Sequence, residues 1–222
     1  GVRNLAHTQV ALPPGATVLF GANGSGKTSF LEAIHLLAVG RSFRTHQSKP
    51  VIQHGVAHCR VVGEVQRGRR SIVMGLEKHR DGGVKARVGG ENVPSLSELA
   101  LHLPLVLLDT DGLGIVNGPP EGRRRLLDGT LFHVEQGFLS QWKRYALAVR
   151  QRNSGLRRGI LSSDKAWRQE IAETGTLLTQ QRQAVAEKLA DELARLVPAL
   201  SDDLVGLRVV FRAGWDQKLS LA

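Results

Sequence analysis

The chain is poor in cysteine and aromatic residues and has no long apolar run: its 222 residues include one Cys, one Tyr and three Trp. The single thiol, Cys59, cannot form an internal disulfide, which is typical of a reducing compartment, and we expect it to be a small buried hydrophobe in a strand. No segment approaches the roughly 20 consecutive apolar residues that a membrane-spanning helix needs. These absences predict a cytoplasmic protein without a membrane span.

Basic residues outnumber acidic ones, with 30 Lys and Arg against 20 Asp and Glu and a formal net charge of +10. This balance favours a polyanionic partner such as nucleic acid, although a GC-rich genome also produces arginine-rich chains. The basic residues are clustered at Arg67, Arg69 and Arg70, at 123–125, at Lys143 and Arg144, and at Arg150, Arg152, Arg157 and Arg158. Since a charge run is more often a solvated face than a binding site, composition only supports nucleic-acid binding.

The motif that carries chemistry is Gly21-x-x-x-x-Gly26-Lys27-Thr28, which matches the phosphate-binding pattern G-x-x-x-x-G-K-[ST] at every fixed position. The apolar segment 17–20 predicts a short buried strand before it. Residues 27–39 have helical spacing after it, and Gly40 is placed to cap that helix. Strand, glycine loop and helix follow one another in the order that a P-loop requires.

Each position of this motif has a physical task. The glycines let the backbone turn its N–H groups toward phosphate oxygens, and the helix directs the positive end of its dipole at the same anion. We expect Lys27 to bridge the terminal phosphates of ATP and the Thr28 hydroxyl to bind Mg²⁺. The candidate nucleotide-binding residues are Gly21, Ala22, Asn23, Gly24, Ser25, Gly26, Lys27, Thr28 and Ser29.

The remaining pattern predicts a sheet followed by helices. Period-two alternation over 57–88 predicts an antiparallel meander, and the apolar run 103–108 predicts a buried strand. Helical spacing begins after Glu135 and returns over 164–197, where Gly175 is expected to interrupt the helix and Pro198 to end it. Two such helices joined near 155–163 predict an antiparallel helical arm, and 207–211 predicts a strand after it.

Hydrolysis of ATP requires more than a P-loop, and the residues leave alternatives open. Asp109 follows an apolar run, as a Walker B aspartate does, but Thr110 stands where many ATPases place Glu. A self-contained P-loop kinase or NTPase that uses Asp109 is therefore one alternative, and a non-enzymatic module that binds DNA or protein through its arginines is another. His54 and His58 stand four residues apart without an evident third ligand, so we do not expect a zinc site.

Five segments together resemble the RecF family of bacterial replication and repair ATPases, which is related to the SMC group of ABC-type ATPases. They are residues 2–4, the P-loop and its helix over 18–34, Gly-Arg-Ser-Phe-Arg at 40–44, Asn-Gly-Pro-Pro-Glu-Gly-Arg-Arg-Arg-Leu-Leu-Asp at 117–128, and Gln-Arg-Asn at 151–153. The segment 117–128 is the most telling, because a generic P-loop protein has no reason to contain it.

The resemblance implies an α/β fold: a P-loop ABC-type ATPase head, with a mixed sheet plus the antiparallel meander, and an inserted antiparallel helical arm. The head would comprise 1–133, the arm 134–205, and a strand returning to the head 206–222. Arg3 and Asn4 would lie near the nucleotide. The signature motif and the Walker B aspartate would lie beyond Ala222, in a C-terminal part of the head that is absent, so that Asp109 would not be the Walker B residue.

The resemblance also implies a function in recombinational repair, replication restart and the SOS response. A RecF-like protein would bind ATP and Mg²⁺, dimerise on ATP, bind double-stranded or gapped DNA, and help RecR and RecO load RecA at DNA gaps. We expect weak ATPase activity of a full-length dimer, and no catalytic residue within this chain, which alone should bind nucleotide without efficient hydrolysis.

Overall fold

The computed structural model describes residues 1–45, 47–108, 112, 114–160, 162 and 164–215. The chain divides into two compact units, 1–107 and 108–222. Among the helices described, none combines the length and the apolar character that crossing a membrane requires.

The sheet of the first unit is an antiparallel meander of four strands in chain order, which confirms the prediction over 57–88. Its strands are β1 His58–Arg67, β2 Arg70–His79, β3 Val84–Val88 and β4 Glu91–Asn92. One face is buried, with Met74 and Leu76 next to the predicted strand cysteine, Cys59, which is 2% exposed. The period-two alternation of apolar and polar residues places the apolar ones on one face of the sheet, because successive side chains of a strand point to opposite faces.

Helix α1, Lys27–Val39, packs on this sheet and ends at the predicted cap. Gly40 has a φ of 76° and donates its N–H to the carbonyl oxygen of Leu36 at 2.8 Å. Leu37 lies so close to β1 that a Cβ on Gly63 would stand 2.6 Å from its Cδ2 atom, so a larger residue there would have to displace the Leu37 side chain. Helix α1 is thereby fixed in position, with the glycine loop at its N-terminus.

The N-terminal residues are attached to the segment around residue 51. Val2 is buried and forms isolated antiparallel bridges with Leu5 and Ile52. The Arg3 N–H donates to the carbonyl oxygen of Val51 at 2.8 Å, just after a 3₁₀ turn over Lys49–Val51. A second short helix, α2 Ser97–His102, completes the regular structure of this unit.

The second unit is helical, with α3 Gly114–Asn117, α4 Pro120–Val134, α5 Phe138–Arg157 and α6 Asp164–Leu200. Two ion pairs show that α5 and α6 run antiparallel, as predicted: Arg152–Asp164 and Arg144–Glu170, both at 2.8 Å. Leu131, Phe138 and Leu178 form its buried cluster, to which Tyr145 is added at the edge. The domain boundaries at 133/134 and 205/206 stay a prediction.

Two predictions about α6 were wrong. Gly175 does not interrupt the helix, which runs without a break from Asp164 to Leu200 with Gly175 buried against its neighbours, so that packing offsets the weak helix propensity of glycine. Pro198 does not end it, since the helix continues to Leu200. A proline removes one backbone hydrogen bond and its ring crowds the carbonyl of the preceding turn, which does not prevent the helix from running two residues further.

Three predicted strands do not form in the described part of the chain. Residues 17–20, 103–108 and 207–211 have no strand pairing, and several of their apolar side chains are exposed, including Phe20 at 91% and Leu108 at 88%. An apolar run predicts burial, but a strand also needs a neighbouring strand for its N–H and C=O groups. None of the described residues supplies that neighbour, so the mixed portion of the sheet is not seen here.

Candidate nucleotide-binding site

The loop before α1 has the backbone conformation that its glycines predict. Gly21, Gly24 and Gly26 have φ values of 147°, 81° and 104°, which residues with a side chain adopt at a cost. The first N–H groups of a helix have no partner within it. Among the described residues, none accepts a hydrogen bond from the backbone N–H of Gly26, Lys27 or Thr28. The loop and the helix N-terminus therefore offer free donors to an anion.

The Lys27 side chain is folded back onto the loop. Its Nζ atom donates to the carbonyl oxygens of Gly21 and Ala22, at 2.8 and 2.9 Å. Thr28 is exposed and lies on the same cleft, so its hydroxyl is open to a ligand. Lysine and hydroxyl are thus both next to the free N–H groups, where the motif predicts them.

The N-terminal segment packs directly against the loop. Asn4 donates its Nδ2 proton to the Gly24 carbonyl oxygen at 2.7 Å and accepts from Ser29 Oγ through its Oδ1 atom at 2.7 Å. A Cβ on Gly26 would stand 2.7 Å from Cδ2 of Leu5, so a larger residue would have to displace the Leu5 side chain. Arg3 and Asn4 line the same cleft as the loop, and their proximity to a nucleotide stays a prediction.

Glu32 is the residue of this site that the sequence analysis missed. It is completely buried, and Arg3 binds its two carboxylate oxygens through Nε and a terminal guanidinium nitrogen, both at 2.8 Å. Ser42 Oγ donates to it at 2.5 Å, and the Arg44 guanidinium lies 3.6 Å away. Burial raises the pKa of Glu32, but hydrogen bonds from Arg3 and Ser42 and the charges of Arg3 and Arg44 outweigh burial and hold it below its ordinary value.

The cleft as a whole is basic. Its volume is about 1050 Å³, and cationic side chains come from several segments: Arg3, Lys27, Arg44, Lys49 and Arg80. Arg80 is held at the rim by hydrogen bonds to the carbonyl oxygens of Val56 at 2.6 Å and Gln53 at 2.8 Å. Among the described residues, Glu32 is the one carboxylate that pairs with these cations, and it is buried, so the surface of the cleft favours an anion.

The predicted loop residues divide into those that line the cleft and those that shape it. Asn23, Gly24, Gly26, Lys27, Thr28 and Ser29 line it. Gly21, Ala22 and Ser25 belong to the loop behind them, where Ser25 donates its N–H to the Ala22 carbonyl oxygen at 3.2 Å. The alternative Walker B residue, Asp109, lies outside the described residues. Nowhere in the described ranges do three His, Cys, Asp or Glu side chains gather as a metal site.

Comparison with known proteins agrees with this geometry. A family model described as the RecF/RecN/SMC N-terminal domain matches residues 1–201. The DNA replication and repair protein RecF of Stutzerimonas stutzeri is 42% identical over 220 residues, covering 98% of this chain and 59% of the relative. The RecF protein of a Marinomonas species is 39% identical over 224 residues, covering 100% of this chain and 61% of the relative. The chain thus spans about three-fifths of the length of these relatives.

A solved structure of the recombination mediator protein RecF with ATP superimposes with a TM-score of 0.81 and 23% identity, covering 90% of this chain and 56% of that one. At this identity the likeness concerns the fold, and it confirms the predicted α/β ATPase head with its meander and helices. The motif resemblance, the family model and the relatives agree, and the similarity is to the N-terminal portion of RecF. The chain belongs to the family of RecF, RecN and SMC N-terminal domains.

Proposed function

We propose that the chain binds ATP with Mg²⁺ in the basic cleft at the N-terminus of α1. The observation that carries this proposal is the group of free backbone N–H donors at Gly26, Lys27 and Thr28, next to a lysine and an open hydroxyl. Backbone donors, a point charge and a hydroxyl are what a triphosphate and its divalent cation require. The residues present therefore fit both groups.

Each residue has a separate part in binding. The N–H groups of residues 26–28 hold phosphate oxygens, and the Lys27 amine exchanges the carbonyls of Gly21 and Ala22 for the terminal phosphates. The Thr28 hydroxyl is the ligand for Mg²⁺, which supplies positive charge that neutralises the phosphates. Asn4 and Arg3 flank the loop and position it. We assign no catalytic residue within the described chain.

Lys27→Ala tests this proposal. We expect the purified full-length protein to bind a fluorescent ATP analogue and the variant to lose at least tenfold in affinity, because a charge-assisted contact to phosphate contributes on the order of 1.5–3 kcal/mol. Lys85→Ala is the matched control, since Lys85 is an exposed lysine on β3 outside the cleft. Equal affinities of all three proteins would refute nucleotide binding at this loop.

The wider function that we propose is that of a RecF-like repair protein, which binds DNA when ATP is bound. It would dimerise on ATP, act with RecR- and RecO-like proteins, and help load RecA at gaps. Support comes from relatives named as DNA replication and repair proteins and from the net charge of +10. The competing function, a self-contained kinase or NTPase using Asp109, predicts that this chain alone turns over ATP and that Asp109→Ala abolishes turnover.

Ion pairing separates the arginines that are free to contact phosphate from those that are engaged. At the β1–β2 turn, Arg67, Arg69 and Arg70 are exposed, and no described carboxylate lies within ion-pair distance of them. Other exposed arginines are each paired with a glutamate, among them Arg60 with Glu77, Arg125 with Glu121, and Arg195 with Glu192. Arg157 and Arg158 are also exposed and outside the described ion pairs, but the turn carries three such arginines within four residues, so we propose the β1–β2 turn as a DNA-backbone contact.

A charge-matched pair of triple variants tests that contact. Replacing Arg67, Arg69 and Arg70 by Gln should weaken binding to duplex DNA and lower the slope of log affinity against log salt by about one for each lost phosphate contact. Replacing Arg60, Arg125 and Arg195 by Gln removes the same charge from paired positions and should change the slope less. Equal slopes in the two triple variants would show that only net charge matters.

A further inference from the structure

Glu32 joins three segments of the chain through one buried carboxylate. It lies on α1, it binds the Arg3 side chain of the N-terminal segment through two hydrogen bonds of 2.8 Å, and it accepts a hydrogen bond from Ser42 beyond the helix. The Arg44 guanidinium is a fourth, looser partner at 3.6 Å. All of these partners lie at or beside the basic cleft.

Such an arrangement is poorly explained by stability alone. Burying a carboxylate is costly, and replacing a buried ion pair by well-packed apolar residues is often neutral or stabilising. A role in holding the local backbone conformation explains better why the buried Glu32 carboxylate is present despite its cost. Arg3 has a φ of 54°, and it is the one non-glycine residue with positive φ in the described part of the chain. Backbone strain of this kind persists where surrounding contacts hold it, often beside a binding site.

The Arg3 contact fixes the residue that follows it. With Arg3 anchored to Glu32 and its N–H bonded to Val51, Asn4 is directed to the loop, where it bonds the Gly24 carbonyl and the Ser29 hydroxyl at 2.7 Å each. The loop carbonyl at Gly24 is thereby held by a side-chain donor. Glu32 thus helps to position Asn4 and the loop on one side of the cleft, although its own side chain does not line the cleft.

The Ser42 contact fixes the opposite segment. Ser42 Oγ donates to Glu32 and accepts from the N–H groups of Arg44 and Thr45, at 2.9 and 3.1 Å, so it defines a local turn. That turn places Arg44 on the cleft, with its side chain 45% exposed. A guanidinium held loosely by Glu32 and open to solvent can form a second, stronger contact to a bound anion.

We propose that Glu32 is a positioning residue that orders both flanks of the cleft, Asn4 through Arg3 and Arg44 through Ser42. The consequence for ligand affinity rests on the proposed binding of ATP, whereas the ordering of the two segments does not. Glu32→Gln retains the size of the side chain and removes the charge that holds Arg3. Asp128→Asn is the matched control, because Asp128 also binds an arginine, Arg182, through two hydrogen bonds, in the second unit.

Hydrogen–deuterium exchange of the nucleotide-free full-length protein tests the ordering directly. We expect Glu32→Gln to raise exchange at residues 1–5 and 41–45 while the strand around Cys59 keeps its protection, and Asp128→Asn to change neither segment. Unchanged exchange at both segments overturns the proposal. A uniform rise that includes the Cys59 strand also overturns it, since Glu32 would then support the unit as a whole.

ATP titration measures the consequence. Glu32→Gln should lower affinity about tenfold, comparable to losing one charged hydrogen bond. The double variant Arg3→Gln/Glu32→Gln should lose less than the sum of the two single losses, because both residues act through one contact. Additive losses, or affinity equal to the parent, contradict the proposal. If the parent protein itself does not bind ATP, the proposed function fails, and the exchange measurement still decides the role of Glu32.

Discussion

Gly26→Ala should destabilise the first unit more than Gly24→Ala, although both glycines belong to the same loop. Both have left-handed backbone, with φ of 104° and 81°. An alanine in that region costs about 1–2 kcal/mol. The two positions differ in their surroundings: a Cβ at Gly24 meets no atom within 4 Å, whereas one at Gly26 stands 2.7 Å from Cδ2 of Leu5.

The close contact adds a second cost at Gly26 only. Overpacking costs about 1–3 kcal/mol, and we take the lower part of that range because a Leu δ-methyl group can rotate away. The expected losses in free energy of unfolding are therefore about 2–3 kcal/mol for Gly26→Ala and about 1–2 kcal/mol for Gly24→Ala. The difference of about 1 kcal/mol reports how tightly the N-terminal segment packs on the loop.

The chain contains a natural probe for this measurement. All three tryptophans, Trp142, Trp167 and Trp215, belong to the second unit, so their fluorescence does not follow the first. Cys59, the one thiol, is buried in the first unit and becomes reactive when that unit opens. Pulsed thiol labelling across a urea series therefore gives the stability of the unit that contains the loop. Equal stabilities for the two variants would refute the packing of Leu5 against Gly26.

Three further predictions concern Cys59, Asp128 and Glu32. Cys59 should resist thiol reagents at pH 8 without urea, because burial raises the pKa of its thiol; rapid labelling would contradict its burial. Asp128→Asn should destabilise the second unit by about 1–2 kcal/mol in urea unfolding followed by tryptophan fluorescence, since it leaves half-buried Arg182 without its carboxylate. The pKa of Glu32 is lowered from 4.5, so its stabilisation is complete above that pH and is lost as pH falls through the folded value. Hydrogen–deuterium exchange at residues 1–5, compared at equal pH, should accordingly distinguish Glu32→Gln from the parent at pH 6, and the difference should shrink toward pH 3.

The loop, helix α1 and the meander could be predicted from sequence because their signals are local. Glycine spacing defines the loop, Gly40 defines the helix end, and alternation defines the strands and their faces. The antiparallel pair α5 and α6 followed from helical spacing on either side of a short connection. In each of these elements, neighbouring residues in the sequence supply most of the hydrogen bonds.

The strands at 17–20, 103–108 and 207–211 could not be predicted correctly because an apolar run says nothing about pairing. Their partners must come from distant residues, and the described chain shows none. Helical spacing over 27–39 likewise predicted the helix without deciding which of its apolar side chains are covered. Leu37 is buried as its spacing suggests, but Leu31 is 48% exposed.

Glu32 escaped prediction for a different reason. A glutamate in a helix normally indicates a solvated face. The partners of Glu32, Arg3 and Ser42, lie 29 and 10 residues away, so the neighbouring sequence does not indicate them. The available signal was its position between Leu31 and Ala33 in an apolar helix, together with Arg3 at the predicted site. A buried carboxylate in such a helix requires a cationic partner. Pairing Glu32 with Arg3, which was already expected at the site, would have predicted Glu32 there as well.

The hydrogen bonds around the loop explain why it suits an anion even before a ligand binds. A tight glycine loop exposes carbonyl oxygens as well as N–H groups, and free carbonyls would repel phosphate. Here the carbonyls of Gly21 and Ala22 accept from Lys27, and that of Gly24 accepts from Asn4. The N–H groups stay free while these oxygens are engaged. Because a lysine–phosphate contact is stronger than a lysine–carbonyl contact, a triphosphate can draw Lys27 from the loop, whereas Asn4, fixed through Arg3 and Glu32, remains on Gly24.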